Sequence, residues 1–328
     1  MTTTMKAWQV TEWCEPEGMH WNETEVPVPS PTQILIKVRA AALNFFDILQ
    51  VQGKYQVKPP FPFTPGAEVS GIVEAVGADV KGFAPGDAAL AMVSQGGFAE
   101  YALSDPHRTF RVPGGMDFPA AAAFPIVYQT SYFALVTRGQ LQPGEWLLVH
   151  AGASGVGMSA IQIGKALGAN VIATAGSEEK IAFAREQGAD HAVSYSEPGW
   201  VDAVKTFTKG HGADVIYDPV GGDIFDLSSK CIASEGRHLV IGFASGRIAS
   251  LAANRALLKN MSLMGVFWGG YVHEHPSYVA ECQAALEQLA DAGKIHPRVA
   301  KSYAMSDAPR ALRDMANRKV IGKTVLIP

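Results

Sequence analysis

The stretch "LLVHAGASGVGMSAIQIGKALGA", residues 147–169, decides how the rest of the chain is read. An apolar run leads into a glycine-rich turn. A segment then follows in which Val156, Ala160, Ile163 and Leu167 recur at helical spacing. A strand, a glycine turn and a helix in that order present backbone N–H groups to a phosphate. The pattern G-x-G-x-x-G is matched imperfectly: Gly152 and Gly157 hold the outer positions, Ser154 the middle one, and Gly155 is an extra glycine. Glycine strings also simply connect strands to helices, so this one takes its weight from its surroundings.

Those surroundings are repetitive. Apolar strands recur at 146–150, 170–175, 191–195, 214–218, 237–242 and 262–267, with helical segments between most of them. Alternating β and α elements with fully apolar strands predict a parallel sheet covered on both faces. Six strands suit a doubly wound Rossmann domain of order 3-2-1-4-5-6, its ligand at the switch point beside the first strand. Upstream, residues 1–115 are β-rich, with strand-like runs at 34–41, 69–76 and 87–93 between Gly- and Pro-rich turns. Residues 118–137 read as a helix that Pro125 must kink or divide. After 268 come two amphipathic helices, the first placing Tyr278, Cys282, Ala285 and Leu289 on one face. The final strand, "KTVLIP", has little to pair with except the N-terminal β region. The expected architecture is α/β: a nucleotide domain over 126–267 inserted into a discontinuous β-rich catalytic domain made of 1–125 and 268–328.

Composition sets the outer bounds. With 328 residues, 48% hydrophobic and 18% charged, the chain has the balance of a globular protein with a substantial core. A net charge of −4 gives no reason to expect nucleic acid or an anionic membrane as partner. No run approaches the roughly 18 apolar residues of a membrane span, and "MTTTMKAWQV" lacks the features of a signal peptide. Cys14, Cys231 and Cys282 are scattered, so a disulfide framework is not expected. These features predict a cytoplasmic protein.

"LVHAGASGVG", "LNFFD" (43–47), "FPFTPGAEVSGIV" (61–73), "VIYDPVGG" (215–222) and "IGFASG" (241–246) occur in order along the chain. Together they resemble the medium-chain dehydrogenase/reductase superfamily, and within it the zinc-free quinone oxidoreductase, or zeta-crystallin-like, branch. The resemblance implies a Rossmann domain inserted into a GroES-like catalytic domain, NADPH as cofactor and a homodimer. Zinc alcohol dehydrogenases of the superfamily resemble the chain too, but where they carry a ligand cysteine this chain has Asn44. Their Gly-His-Glu motif reads Gly66-Ala67-Glu68, and residues 118–131 contain no Cys, His, Asp or Glu. No clustered cysteines suit a structural Cys₄ site. The "HEH" run (273–275) reads as surface histidines, and Glu68 as a hydrogen-bonded structural carboxylate. No bound metal is expected. Without a Lewis acid the chemistry suits acceptors that are already electron-poor, such as quinones or C=C bonds conjugated to a carbonyl.

The resemblance also assigns residues. Asn44 stands at the family's active-site asparagine, able to orient the nicotinamide ribose or the acceptor, and Tyr55 at its pocket tyrosine, able to hydrogen-bond a developing oxyanion or deliver a proton. Thr130 matches the nicotinamide side. Ser154, Gly155 and Val156 face the pyrophosphate, while Gly242 and Phe243 lie after the fifth strand. Phe267, Arg318 and Lys323 complete the expected cofactor set. An NAD-specific site places a carboxylate at the end of the second strand; here Ala175, Gly176 and Ser177 stand there. Ser177, with Lys180 one helical turn on and Tyr195 after the third strand, suits a 2′-phosphate. Glu178 or Glu179 reaching the ribose would favour NAD instead. Phe45, Phe61, Phe63, Tyr128 and Trp268 are core candidates first and pocket residues second, and His150 reads as a buried, hydrogen-bonded strand-end histidine. The edge strand 260–268 is expected to pair with its twofold mate through Leu263, Val266 and Phe267. The leading function is NADPH-dependent quinone reduction. Its alternatives are reduction of an enone or acyl-CoA double bond, and a non-catalytic NADPH-binding, crystallin-like or RNA-binding role.

Overall fold

The computed structural model describes residues 3–328. The chain forms two compact units: residues up to Ile126 together with Pro297–Pro328, and Val127–His296.

The first unit begins with an antiparallel pair, β1 (Thr4–Gln9) and β2 (His20–Glu25). Strand β3 (Ile34–Ala42) follows, its Lys37 and Arg39 facing out among otherwise buried residues. Helix α1 (Phe45–Val51) comes next, its first turn tied by the Asp47 carboxylate, which accepts from the Asn44 backbone N–H at 2.7 Å. Strands β4 (Glu68–Val76), β5 (Ala88–Met92), β6 (Tyr101–Ser104) and β7 (Thr109–Arg111) continue the sheet, and helix α2 (Phe118–Ala122) packs on it. Pro125 divides the expected long helix. It opens α3 (Pro125–Tyr132), where its missing N–H costs nothing, and α3 runs on into a π-helical turn, Phe133–Arg138.

The second unit holds β8 (Trp146–Val149), α4 (Gly155–Ala166), β9 (Asn170–Ala175), α5 (Glu178–Glu186), β10 (His191–Ser194) and α6 (Trp200–Phe207). After them come β11 (Ala213–Asp218), α7 (Gly222–Ser228), β12 (Ile232–Val240), α8 (Ala253–Lys259) and β13 (Ser262–Gly265). Helices α9 (Trp268–Glu274) and α10 (Tyr278–Asp291) close the unit. Its six strands are parallel in the order β10-β9-β8-β11-β12-β13, the doubly wound order, which puts a switch point beside β8. The chain then returns to the first unit as β14 (Val299–Ala304), α11 (Ala308–Ala316) and β15 (Lys323–Ile327). Strand β15 joins β3 antiparallel and β14 parallel. Among the described residues no helix is long and apolar enough to cross a membrane.

Three expectations need correction. Residues 268–296 belong to the nucleotide unit rather than to the catalytic one. The Phe133 ring packs against Trp268 and Tyr271, with centroids 5.6 and 4.5 Å away, and Gln129 donates to Gln283 at 2.9 Å. The buried face of α10 is therefore Val279, Cys282, Gln283 and Leu286, rotated from the expected one. Finally, the edge strand is short: β13 ends at Gly265, and Val266 is buried while Leu263 and Phe267 are exposed.

Candidate active site

The turn after β8 is built so that only glycine fits at two places. A side chain at Gly157 would meet the Ala151 carbonyl oxygen at 2.2 Å, and one at Gly152 would meet the Ala173 side chain at 2.9 Å. Ser154 caps α4 by accepting the Gly157 N–H at 3.1 Å. Helix geometry leaves the N–H groups of Gly155 and Val156 without intrahelical acceptors at the positive end of the helix dipole, the arrangement that holds a phosphate.

At the end of β9 stand Ala175, Gly176 and Ser177, with no carboxylate among them. Ser177 caps α5 by accepting the Lys180 N–H at 3.4 Å, and Glu178 and Glu179 lie in that helix's first turn. A side chain at Gly176 would meet the Tyr195 ring at 3.5 Å, so Tyr195 and Ser177 border the same small-residue surface. Gly242 and Phe243 follow β12, Phe243 partly exposed. Thr130 is half-buried on α3 and Phe267 is exposed just before α9. Arg318 lies past α11 in the first unit, in a left-handed conformation with φ 59°.

Below the switch point, Asp218 accepts from the backbone of Val220 and Gly221 at 2.8 and 2.9 Å and from His238 at 3.1 Å, fixing the turn after β11. His150 is fully buried. Ser228 donates its own hydrogen to Ile224, so it accepts from His150 Nε2, and Nδ1 accepts from Thr174, both at 2.8 Å. Burial, with His238 nearby and Asp218 opposing, lowers the His150 pKa from 6.5 to about 4. Folding thus favours the neutral ring: the stability is complete above the unfolded pKa and is lost as pH falls toward the folded one. Between about pH 7 and pH 5 the wild type is expected to lose about 2 kcal/mol more than His150→Gln. Urea unfolding at both pH values measures this, and equal losses would contradict it.

In the first unit, pairing of β15 with β3 brings Lys323 beside Leu43 and Asn44. The buried Lys323 ammonium donates to Glu68 Oε1 at 2.5 Å, the Leu43 carbonyl at 2.9 Å and Asn44 Oδ1 at 3.0 Å. Asn44 Nδ2 donates to Glu68 Oε1 at 2.8 Å, and the Ile126 N–H to Oε2 at 2.9 Å. Lys323, expected on the cofactor surface, instead lies beneath Asn44. These residues do not form a zinc donor set. The Asn44 oxygen faces an ammonium, Ala67 offers no ligand and Glu68 is committed to Lys323. Among the described residues no three His, Cys, Asp or Glu side chains gather to hold an ion, and His273 and His275 are exposed.

Sequence reasoning missed Asp47. It is fully buried, one carboxylate oxygen has no partner, and burial, with Glu68 adding and the Asn44 N–H and Lys323 opposing, raises its pKa to about 7. The signal was the N-x-x-D spacing of "NFFD", in which a carboxylate three residues on returns to the cap backbone. The Tyr55 ring stacks on Phe46 at 5.3 Å; burial and then the Asp47 charge raise its pKa. Phe63, Tyr128 and Trp268 are core residues, whereas Phe45 and Phe61 are each 41% exposed.

The alcohol dehydrogenase GroES-like domain family matches residues 30–114, and the zinc-binding dehydrogenase family matches residues 155–293. The chain is 38% identical to quinone oxidoreductase-like protein 2 of Rattus norvegicus over 297 residues, 90% of this chain and 85% of that protein. It is 31% identical to the quinone oxidoreductase of Homo sapiens over 327 residues, 98% of each. The crystal structure of Escherichia coli quinone oxidoreductase complexed with NADPH is similar at a TM-score of 0.90 and 29% identity, covering 99% of this chain and 100% of that one.

Proposed function

The chain belongs to the quinone-oxidoreductase-like branch of the medium-chain dehydrogenase/reductase superfamily, and from that premise we propose that it is a zinc-independent, NADPH-dependent reductase of quinones or similar electron-poor carbonyl acceptors. The observation that supports its metal-free part is the ammonium–carboxylate pair Lys323–Glu68, which grips Asn44, the residue that stands where zinc relatives carry a ligand cysteine.

When bound, NADPH supplies the hydride. The N–H groups of Gly155 and Val156 hold its pyrophosphate, and Ser177 and Tyr195 receive the 2′-phosphate, with Lys180 providing charge. Thr130, Gly242, Phe243, Phe267 and Arg318 are assigned to the cofactor by resemblance. Asn44 and Tyr55 donate hydrogen bonds to the acceptor oxygen as negative charge develops there. The raised pKa of Tyr55 keeps its phenol protonated, and so a donor, at neutral pH.

Following NADPH consumption with a panel of quinones and enones tests this. The expected result is quinone turnover that prefers NADPH to NADH and survives a chelator. Lys180→Ala is expected to weaken NADPH about ten- to a hundredfold while sparing NADH. Stoichiometric zinc lost together with activity would overturn the metal-free reading, and turnover of enones alone would move the substrate to C=C bonds. Tight NADPH binding without any turnover would favour the binding-protein alternative.

A homodimer through β13 belongs to the same proposal. Leu263 is 46% exposed on the edge strand β13 and Phe267, just past its end, is 56% exposed, while Leu257 and Leu258 on α8 are 76% and 77% exposed. Pairing with a twofold copy would satisfy the edge and cover these side chains. Light scattering should give twice the subunit mass for the wild type and one subunit mass for Leu263→Asp. A monomeric wild type at micromolar concentration would refute it.

A further inference from the structure

The Asn44 amide is gripped by two groups of opposite hydrogen-bonding character. Lys323 can only donate, and it lies 3.0 Å from Oδ1; the Glu68 carboxylate can only accept, and it lies 2.8 Å from Nδ2. Lys323 and Glu68 are buried at 2% and 0% exposure, and Asn44 keeps 7%. Neither partner can turn away, because Lys323 also holds the Leu43 carbonyl and Glu68 the Ile126 N–H. Flipping the amide would set its NH₂ against an ammonium and its oxygen against a carboxylate. One orientation therefore survives. In it the oxygen takes the ammonium and one Nδ2 hydrogen takes the carboxylate, so the second Nδ2 hydrogen is the donor that remains to be offered.

We propose that Lys323 is a positioning residue that acts through Asn44: it holds the amide with a hydrogen, rather than the oxygen, turned toward the bound ligand. Glu68 is the complementary half of the clamp. A site held this way recognises a hydrogen-bond acceptor, such as a carbonyl oxygen. The effect on rate rests on the proposed reductase activity; the orientation is a property of the protein alone.

Lys323→Met by itself leaves a buried, uncompensated carboxylate and can unfold the chain, so the decisive variant is Lys323→Met with Glu68→Gln. There the amide introduced at position 68 accepts the Ile126 N–H through its oxygen and turns its NH₂ toward Asn44, and the Asn44 amide turns over to meet it. A thermal melt establishes that the variant is folded. In the ligand-free full chain labelled with ¹⁵N-asparagine, the Asn44 NH₂ pair is assigned by its disappearance in Asn44→Ala. In the double variant it is expected to exchange with water at least about tenfold faster, with the other asparagine pairs unchanged. In turnover, the double variant is expected to lose about ten- to a hundredfold in kcat/KM, and nothing further in an Asn44→Ala background. A purely structural role would make the losses multiply. Unchanged Asn44 exchange, or multiplying losses, would overturn the assignment. A wild type that turns over no acceptor would count against the reductase reading, and the exchange measurement would still decide the role of Lys323.

Discussion

Gly157→Ala is expected to weaken NADPH binding at least about a hundredfold, equivalent to about 2.7 kcal/mol. The new methyl would sit 2.2 Å from the Ala151 carbonyl oxygen and 2.8 Å from the Gly152 Cα, both backbone atoms with no flexible end to swing aside. Retreat toward β9 and α5 is blocked, because a side chain at Gly152 would already crowd Ala173 at 2.9 Å and Ala184 at 3.3 Å. Ala151, in a left-handed conformation at φ 50°, has little freedom to absorb the change. The loop must move outward, into the space before the α4 N-terminus that a phosphate needs. The Ser154 cap, bonded to the Gly157 N–H, moves with it. Fluorescence titration with NADPH measures the effect. Gly114→Ala, where an added methyl meets nothing within 4 Å, serves as the control expected to bind as wild type. An affinity for Gly157→Ala within about threefold of wild type would contradict the prediction.

That prediction draws on the most legible part of the sequence. The strand, turn and helix at 147–169 are specified by neighbours in the chain, so their pattern is visible in one line of text. The return of "KTVLIP" to the N-terminal sheet was legible for another reason: a lone strand must find an open edge, and β3 offers one. Long-range polar burial was not legible. Gln283 turns inward on α10 because Gln129 meets it from α3, so a reading that buried only apolar residues rotated the helix. The resemblance assigns Lys323 to the cofactor, and nothing beside it in the sequence announces a burial that is rare for lysine. What buries it is Glu68, 255 positions away in the chain. The expected edge strand ran too long because Val266 is as apolar as a strand residue, though it lies past the end of β13 with its side chain buried.

Glu68→Gln is expected to cost about 3–5 kcal/mol of stability near neutral pH, the penalty for leaving one member of a buried ion pair alone. Glutamine is nearly isosteric, so packing is not the cause. Lys323 and Asn44 donate to one oxygen of Glu68 and Ile126 to the other. A single amide has one oxygen and one NH₂, so whichever way it turns, a donor faces a donor. The ammonium keeps two neutral oxygens, from Leu43 and Asn44, but loses its counter-charge. Asp47 can supply part of the missing charge. In the wild type, burial and then the Glu68 charge hold its pKa up near 7, against the pull of the Asn44 N–H and of Lys323. Removing the Glu68 charge leaves the lysine's attraction and lowers the Asp47 pKa. In the variant Asp47 therefore ionises at a pH where the wild-type group is still protonated. Between those two pKa values the folded variant binds one proton fewer than the folded wild type, so the cost of the substitution shrinks as pH rises. Urea unfolding at about pH 8 and about pH 5.5 should show the smaller loss at the higher pH. Adding Asp47→Asn should remove that difference and leave the full penalty at both. A loss below about 1 kcal/mol, or one that grows with pH, would mean that Lys323 does not depend on Glu68 for its charge partner.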